Sequence, residues 1–219
     1  MNAPAKFDRM ARLYRWMEYF SFGLYLHECR KVRLEEITHC KRALVYGDGD
    51  GRFLAELVRG APEIQATAVD ASSKMLRQLA RRLPPQAQVR LVHADALEYA
   101  PAGSPGAPFD LVVSHFFLDC FNEAEIASLL AHVNAAVEEN ALWVISDFAI
   151  PQRMPGRLMG WWIVRGLYIT FGLLTGLKTR RLPDHARAMR ESGWMLEDRH
   201  ELLWGVLTSE RWRRSLSSS

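Results

Sequence analysis

The sequence predicts an α/β fold, a doubly wound and mostly parallel sheet with helices on both faces. From residue 42 onward, short apolar segments that end in glycine or aspartate alternate with helical patterns. Strands that alternate with helices of about ten to fifteen residues are typical of parallel sheets with right-handed crossovers. The chain has 219 residues and is 49% apolar, which is enough for one domain with a substantial core.

The first half of the chain supplies three strands and their helices. Residues 7–36 have apolar and aromatic positions at helical spacing, which predicts two helices separated near 21–23. The segments that follow predict, in order, strand 42–47 (RALVYG), helix 52–60 (RFLAELVRG), strand 64–71 (IQATAVDA), helix 72–83 (SSKMLRQLARRL) and strand 89–97 (VRLVHADAL). Gly60 ends the first of these helices, and Pro84 ends the second.

The second half continues the alternation and then changes direction. After a loop rich in glycine and proline, the predicted elements are strand 109–116 (FDLVVSHF), helix 123–139 (EAEIASLLAHVNAAVEE), strand 141–150 (ALWVISDFAI) and a helix that ends at Gly193 (DHARAMRESGW). The last two segments, 194–202 (WMLEDRHEL) and 205–214 (GVLTSERWRR), predict a closing antiparallel pair.

Charge and cysteine content narrow the class of protein. The net charge of +3 and the pI near 8.9 come from scattered arginines, which does not indicate a nucleic-acid surface. Cys29, Cys40 and Cys120 form no CxxC pair, which predicts reduced thiols and no structural metal. The amino terminus lacks the apolar run of a signal peptide, so we expect a cytoplasmic protein.

The apolar segment 158–177 (LMGWWIVRGLYITFGLLTGL) is long enough to span a bilayer. Arg165 near its middle and four interspersed glycines argue against a span. We expect a lid over a binding pocket, built on Trp161, Trp162, Tyr168 and Phe171. The alternative is a segment that docks on a membrane surface, where a lipid substrate would be dissolved.

Three glycines, Gly47, Gly49 and Gly51, follow the first strand and predict a ligand loop. Ligands of open parallel sheets bind at the carboxyl ends of the strands, although the loop could also be only a tight turn. Position 52 is arginine where a dinucleotide fingerprint needs glycine, which argues against a nicotinamide-dependent oxidoreductase. The loop also lacks the GK[ST] ending of a phosphate-binding loop. Asp48 and Asp50 would repel phosphate and favour a cationic ligand with an amino group.

Acidic residues also follow the second and third predicted strands. Asp70 can accept hydrogen bonds from both hydroxyls of a ribose, and Asp95 can accept from an exocyclic amine such as that of adenine. Taken alone, each is better explained as a helix cap or a solvated aspartate. Three successive strand ends followed by acids favour a nucleoside site.

These motifs, in this order, resemble those of class I S-adenosylmethionine-dependent methyltransferases over about residues 40–212. The segments that carry the resemblance are ALVYGDGDG, TAVDASSKML, VHADAL, FDLVVSHFFLD and LWVISDF. The resemblance implies a Rossmann-like, seven-stranded sheet whose last strand is antiparallel. It also implies S-adenosylmethionine as cofactor and S-adenosylhomocysteine as product.

The resemblance also assigns roles to individual residues. Gly47, Gly49 and Gly51 would line the methionine and ribose part of the cofactor. Asp70 would bind the ribose hydroxyls, and Asp95 would meet the adenine amine. The remaining implied contacts are Ala71, Met75 and Ala96 around the adenine, with Ser114 and His115 below the sulfonium.

One position departs from the family pattern. The family often has an acid two residues before the first glycine, where this chain has Val45. We therefore expect Asp48 or Asp50 to contact the cofactor's amino group instead.

The two ends of the chain point to a substrate class. Residues 7–31 and the apolar insertion are similar to the ubiquinone and menaquinone biosynthesis C-methyltransferases. The resemblance implies a lipophilic or aromatic small molecule as acceptor, with a quinol or phenol as one example. The first candidate for the catalytic base is His115, with a core or cofactor-packing histidine as its alternative. Asp119 and Tyr14 are weaker candidates, since Asp119 could cap a helix and Tyr14 could be a core aromatic.

The sequence therefore predicts one methyltransferase domain over 1–219. Its expected parts are a helical cap (1–38), a cofactor-binding core (39–150), an apolar lid (151–182) and a final helix with a hairpin (183–219). The alternative function is a partner or sensor protein that binds S-adenosylmethionine without transferring its methyl group. The acceptor atom and the oligomeric state are not specified by the sequence.

Overall fold

A computed structural model describes residues 23–101, 107–149 and 184–215. In these ranges one sheet contains seven strands, which lie in the order β3-β2-β1-β4-β5-β7-β6. The strands are β1 (Arg42–Tyr46), β2 (Gln65–Asp70), β3 (Gln88–His93), β4 (Phe109–His115), β5 (Val137–Phe148), β6 (Trp194–Leu202) and β7 (Leu207–Arg214).

The first five strands are parallel, and β7 runs antiparallel to both of its neighbours, β5 and β6. The order reverses at β1, which lies between β2 and β4, and Tyr46 at its end pairs with Val69 on one side and Ser114 on the other. This arrangement confirms the predicted fold class, including the antiparallel last strand.

Five helices in the described ranges flank the sheet: α1 (Gly23–Lys31), α2 (Arg52–Gly60), α3 (Ser73–Arg82), α4 (Glu123–Asn134) and α5 (His185–Glu191). Side-chain capping explains where several of these helices begin. The Ser72 hydroxyl accepts from the Met75 backbone at α3, and Asn122 and Glu125 form a reciprocal capping box at α4. The predicted starts of α2, α3 and α4 agree with these helices.

Two hydrophobic cores lie on opposite faces of the sheet. Successive strand residues point to opposite faces, so Val113 and Val144 pack with Phe53 and Leu57 of α2, together with α3. On the other face, buried residues of the strands pack against α4 and α5, namely Leu44, Val112, Trp143, Ile145 and Trp212. The alternation decides which face each side chain at the carboxyl ends of the strands can reach.

Two predicted helices are shorter in the structure. The helix predicted over 123–139 ends at Asn134, because Val137 already pairs with Phe109 and starts β5. The pairing then shifts register, and Asn140 adopts a left-handed backbone before regular pairing resumes at Leu142. The second amino-terminal helix ends at Lys31, and a 3₁₀ turn covers Glu35–Ile37.

Other boundaries also differ or lie beyond what the structure describes. The strand predicted over 89–97 ends at His93, which leaves Asp95 in the following turn. The first amino-terminal helix and the apolar segment 158–177 lie outside the described residues. Among the helices that are described, none is both long and apolar enough to cross a membrane.

Candidate functional site

The carboxyl ends of the parallel strands bring the predicted site residues to one edge of the sheet. The glycine loop follows β1, Asp70 ends β2, Asp95 follows β3, and His115 ends β4. Because neighbouring parallel strands end side by side, these groups share one edge at the point where the strand order reverses.

The three glycines of the loop have different surroundings. A Cβ at Gly51 would lie 2.7 Å from the Cα of Leu79 in α3, so this glycine permits close helix packing. A Cβ at Gly47 would lie 2.6 Å from the ring of Phe117. A Cβ at Gly49 would meet nothing within 4 Å, and all three have positive φ. Open space for a ligand therefore lies at Gly49.

The structure separates the roles of Asp48 and Asp50. The Asp50 Oδ2 atom accepts from Arg52 Nε at 3.1 Å and from Arg82 Nη2 at 2.7 Å, so its charge is already paired. Asp48 is 7% exposed, and its Oδ2 accepts from the Leu54 backbone at 3.0 Å.

The other oxygen of Asp48, Oδ1, is buried and has no hydrogen-bond partner among the described residues. Burial raises the pKa of Asp48 to about 7, against the opposing effect of the Leu54 amide and of Arg30. A buried acceptor with a vacant oxygen suits a cationic amino group.

Asp70 and Asp95 each use one oxygen in the local turn. Asp70 Oδ1 accepts from the Ser72 backbone at 2.7 Å, and Asp95 Oδ1 accepts from the Leu97 backbone at 2.9 Å. Asp70 Oδ2 makes no hydrogen bond to the described residues, and burial raises the pKa of Asp70 to about 6. Asp70 therefore does make the local backbone contact that the sequence offered as an alternative role. Its second oxygen is still available to a ligand.

Residues predicted to surround an adenine lie beside these acids. Met75 and Ala96 are buried, and Ala71 is half-buried. The Ala71 carbonyl oxygen lies 3.0 Å from His93 Nε2, which ties the turn after β2 to the end of β3.

Ser114 and His115 point to opposite faces of the sheet. The Ser114 hydroxyl accepts from Trp143 Nε1 at 3.0 Å and belongs to the packing against α4. His115 faces α2, where its ring contacts Phe53 edge-on at 4.4 Å between centroids. Their side chains therefore lie on different faces of the sheet, and their predicted place below the sulfonium stays a prediction.

His115 is a weak base in this environment. Its two ring nitrogens are buried and have no hydrogen-bond partner among the described residues. Burial, with a smaller contribution from the Arg30 charge, holds the pKa of His115 well below its ordinary value. The imidazole is therefore neutral at neutral pH and reluctant to accept a proton.

Asp119 and a residue that sequence reasoning missed, Asp147, form a second acidic group at the same edge. Asp119 lies in a 3₁₀ turn after β4, and the cap of α4 is Asn122 rather than Asp119. Asp147 lies at the end of β5 and is 2% exposed. The sequence feature that could have identified Asp147 is its charge within the otherwise apolar strand ALWVISDFAI. The third catalytic candidate, Tyr14, lies outside the described residues.

Residues 43–140 match the protein family described as methyltransferase domain. Over these residues the chain is similar to methyltransferase domains. The match covers β1 to the start of β5, which includes the glycine loop and the acids of the first four strand ends. A sequence search of curated proteins found no match.

Solved methyltransferases share the fold. The N-methyltransferase NodS from Bradyrhizobium japonicum WM9 is 14% identical with a TM-score of 0.60, and the match covers 88% of this chain and 98% of NodS. An O-methyltransferase family protein from Burkholderia thailandensis is 18% identical with a TM-score of 0.62, covering 97% of this chain and 59% of that one. Human N-acetylserotonin methyltransferase in complex with SAM is 12% identical with a TM-score of 0.64, covering 96% and 57% respectively.

The carboxyl-end edge of the sheet contains groups that suit S-adenosylmethionine, the cofactor that the resemblance implies. Asp48 offers a buried vacant oxygen, Gly49 offers an open backbone, and Asp70 offers a second carboxylate oxygen. In the described ranges no group of three or more His, Cys, Asp and Glu side chains could hold a metal ion.

Proposed function

We propose that the protein transfers the methyl group of S-adenosylmethionine to a lipophilic or aromatic small molecule. The observation that carries this proposal is the vacant, buried Asp48 Oδ1 beside the open backbone of Gly49. The cofactor supplies an activated methyl group on a sulfonium. The chain's own residues have to hold it, exclude water and place an acceptor in line with it.

In this proposal each strand end holds one part of the cofactor. Asp48 receives the amino group and takes the role of the acid that is missing at Val45. Asp70 Oδ2 receives the ribose hydroxyls, and Asp95 receives the adenine amine. Met75 and Ala96 supply the apolar surface for the adenine.

Aromatic side chains line the neighbouring part of the edge and support a lipophilic acceptor. Phe117 stacks on Tyr46 with centroids 5.6 Å apart, and it also contacts Phe121 edge-on at 4.9 Å. Phe116, held at a positive φ, packs on Phe148 at 5.2 Å. Phe116 and Phe117 follow β4 directly, and Phe117 and Phe121 flank the turn that contains Asp119.

The proposal includes quinols and phenols as acceptors, because residues 7–31 and the apolar insertion resemble the ubiquinone and menaquinone biosynthesis C-methyltransferases. The segment 158–177 would be either a lid over the acceptor or a peripheral contact with a membrane. Both roles concern residues outside the described ranges and stay predictions, as does a cytoplasmic location. Solved proteins of this fold include N- and O-methyltransferases by name, so the fold leaves the acceptor atom open.

Replacing the vacant carboxylate gives a test of cofactor orientation. We expect Asp48→Asn to weaken S-adenosylhomocysteine binding roughly tenfold, which is the loss of one charge-assisted hydrogen bond of about 1.4 kcal/mol. Isothermal titration calorimetry measures this. Exposed Glu63, at the opposite edge of the sheet, supplies the control variant Glu63→Gln.

The same variant should make the ligand-free protein more stable at pH 8. Since folding raises the pKa of Asp48 to about 7, the folded state loses stability as pH rises from about 4 to about 7. Asparagine keeps the acceptor for Leu54 and removes this loss. Unchanged cofactor affinity, with or without the stability gain, would contradict the assignment of Asp48 to the amino group.

The proposed activity is tested by following S-adenosylhomocysteine formation with a panel of quinols, phenols and lipophilic amines. Formation that depends on an acceptor supports methyl transfer. A protein that binds the cofactor and methylates nothing in such a panel would favour the sensor alternative.

A further inference from the structure

A buried cluster of titratable groups lies where β4 and β5 end, on the face covered by α4 and α5. Asp147 follows Ile145 on β5 by two residues and so shares its face with Ile145 and Trp143. Asp119 comes to the same place from the turn after β4, and after burial its charge has the largest effect on the pKa of Asp147.

The neighbouring acid Glu210 is already compensated. Its Oε2 accepts from Trp212 Nε1 at 2.8 Å and from His185 Nε2 at 3.1 Å, and its Oε1 pairs with Arg199. The Arg199 ion pair and the hydrogen bonds from His185 and the indole N–H explain how this carboxylate can be 1% exposed. Glu210 therefore needs no ligand.

Asp147 is not compensated in this way. Its Oδ1 accepts from the Phe148 backbone at 2.9 Å, and the Asp119 backbone N–H also faces this carboxyl and lowers its pKa somewhat. Oδ2 is buried and has no partner within hydrogen-bond distance among the described residues. No arginine or lysine in the described ranges pairs with Asp119 or Asp147. Buried polar atoms in folded proteins almost always have a hydrogen-bond partner, so the unpaired oxygen on this 2% exposed carboxyl needs an explanation, and a bound ligand provides one.

Two such carboxyls cannot both be ionised at low cost. Burial raises the pKa of both Asp119 and Asp147, and their mutual repulsion raises that of Asp147 further. The pair therefore resists carrying two negative charges. The other titratable or charged groups that face it are Cys29, Cys120, His185, Glu210 and, through Glu210, Arg199.

The pair lies beside the proposed cofactor loop. Phe117 touches the position of Gly47 on one side and Phe121 on the other, and Asp119 is between the two phenylalanines in the turn. A molecule that packs on these rings would place its polar end, which is also its reacting atom, at the carboxyl pair next to the cofactor edge. A cationic group would neutralise the pair, whereas a phenolate would be repelled by it.

We propose that Asp119 and Asp147 bind the polar end of a lipophilic amine and accept its proton, so that nitrogen is the methylated atom. The inference rests on the proposed function and deepens it. The ammonium gives one proton to the ionised carboxylate and becomes a neutral amine. The nitrogen lone pair forms the N–C bond while the methyl–sulfur bond breaks and its electron pair stays on sulfur. The products are a methylated ammonium and S-adenosylhomocysteine.

The test compares probes that share one aromatic body. Binding of 2-phenylethylamine, 2-phenylethanol and 4-ethylphenol is measured by calorimetry on the full chain saturated with S-adenosylhomocysteine. We expect the amine to bind at least tenfold more tightly than either neutral probe. Equal or weaker binding of the amine, including no binding by any probe, would overturn the inference.

Matched variants identify the groups responsible. Asp119→Asn and Asp147→Asn are each expected to reduce the amine preference at least fivefold and to leave S-adenosylhomocysteine affinity within twofold. The control is Glu123→Gln, an exposed acid four residues after Asp119 that pairs with Arg187. Retained preference in both aspartate variants would overturn the role of the pair.

The two failures are distinguishable. If the wild-type chain does not bind S-adenosylhomocysteine, the proposed function fails before the amine is tested. If it binds S-adenosylhomocysteine and shows no amine preference, only the inference fails. A thermal melt of each variant identifies any that does not fold, and Asp147→Glu then serves as the second variant, expected to keep the amine preference.

Discussion

Gly51→Ala is expected to destabilise the protein by about 2 to 4 kcal/mol, which is the sum of overpacking and a left-handed backbone for a residue with a Cβ. The new methyl group would lie 2.7 Å from the Leu79 backbone, and φ at this position is +83°. Leu79 is part of α3 and buried in the core, so it cannot move aside cheaply. Urea unfolding monitored by circular dichroism measures the loss.

Gly49→Ala is the matched comparison for this prediction. It has the same kind of positive φ, +64°, but no neighbour within 4 Å of the added Cβ. We expect Gly49→Ala to lower the free energy of unfolding by about 1 kcal/mol, because of the backbone conformation alone. The loss in free energy of cofactor binding should be larger than this. Equal destabilisation by both variants would mean that the space at Gly49 is not open. Unchanged cofactor affinity in Gly49→Ala would contradict the placement of the ligand in that space.

Asp70→Ala is expected to weaken binding of S-adenosylmethionine by about 1.5 to 3 kcal/mol, through loss of charge-assisted hydrogen bonds to the ribose. The corresponding decrease in affinity is roughly 10- to 150-fold. Since Asp70 Oδ1 also holds the Ser72 amide, the alanine variant alters the turn as well. Calorimetry with S-adenosylmethionine gives the change in affinity.

Asp70→Asn separates the two roles of this carboxylate. Asparagine can still accept from Ser72, so the turn should persist, and the loss of charge alone should weaken cofactor binding at least fivefold. Unchanged affinity in both variants would contradict the assignment of the β2 end to the ribose.

Much of the fold could be predicted because local patterns and the sheet agree. Arg52–Gly60 and Ser73–Arg82 form helices where apolar spacing and a serine cap predict them, and the strands follow short apolar runs. The end of α4 could not be predicted, since the segment after Asn134 keeps helical spacing and pairing with Phe109 draws it into β5 instead. Tertiary pairing overrides local propensity there.

The site could be predicted only in part, because tertiary contacts between distant segments again decide the outcome. Glycines and acids at strand ends identify a cofactor edge, but the sequence does not reveal which acid is already paired. Arg82 comes from a helix far along the chain to neutralise Asp50, while Asp48 keeps a vacant oxygen. The weak basicity of His115 and the proximity of Asp147 to Asp119 likewise depend on burial and on contacts between distant segments.

The most direct test of the central claim is calorimetric titration of the wild-type protein with S-adenosylmethionine and S-adenosylhomocysteine, with NADH as the control. We predict binding of the first two at micromolar concentrations and no binding of NADH. Binding of NADH alone, or of none of the three, would contradict the account and reduce the GDGDG loop to a structural turn.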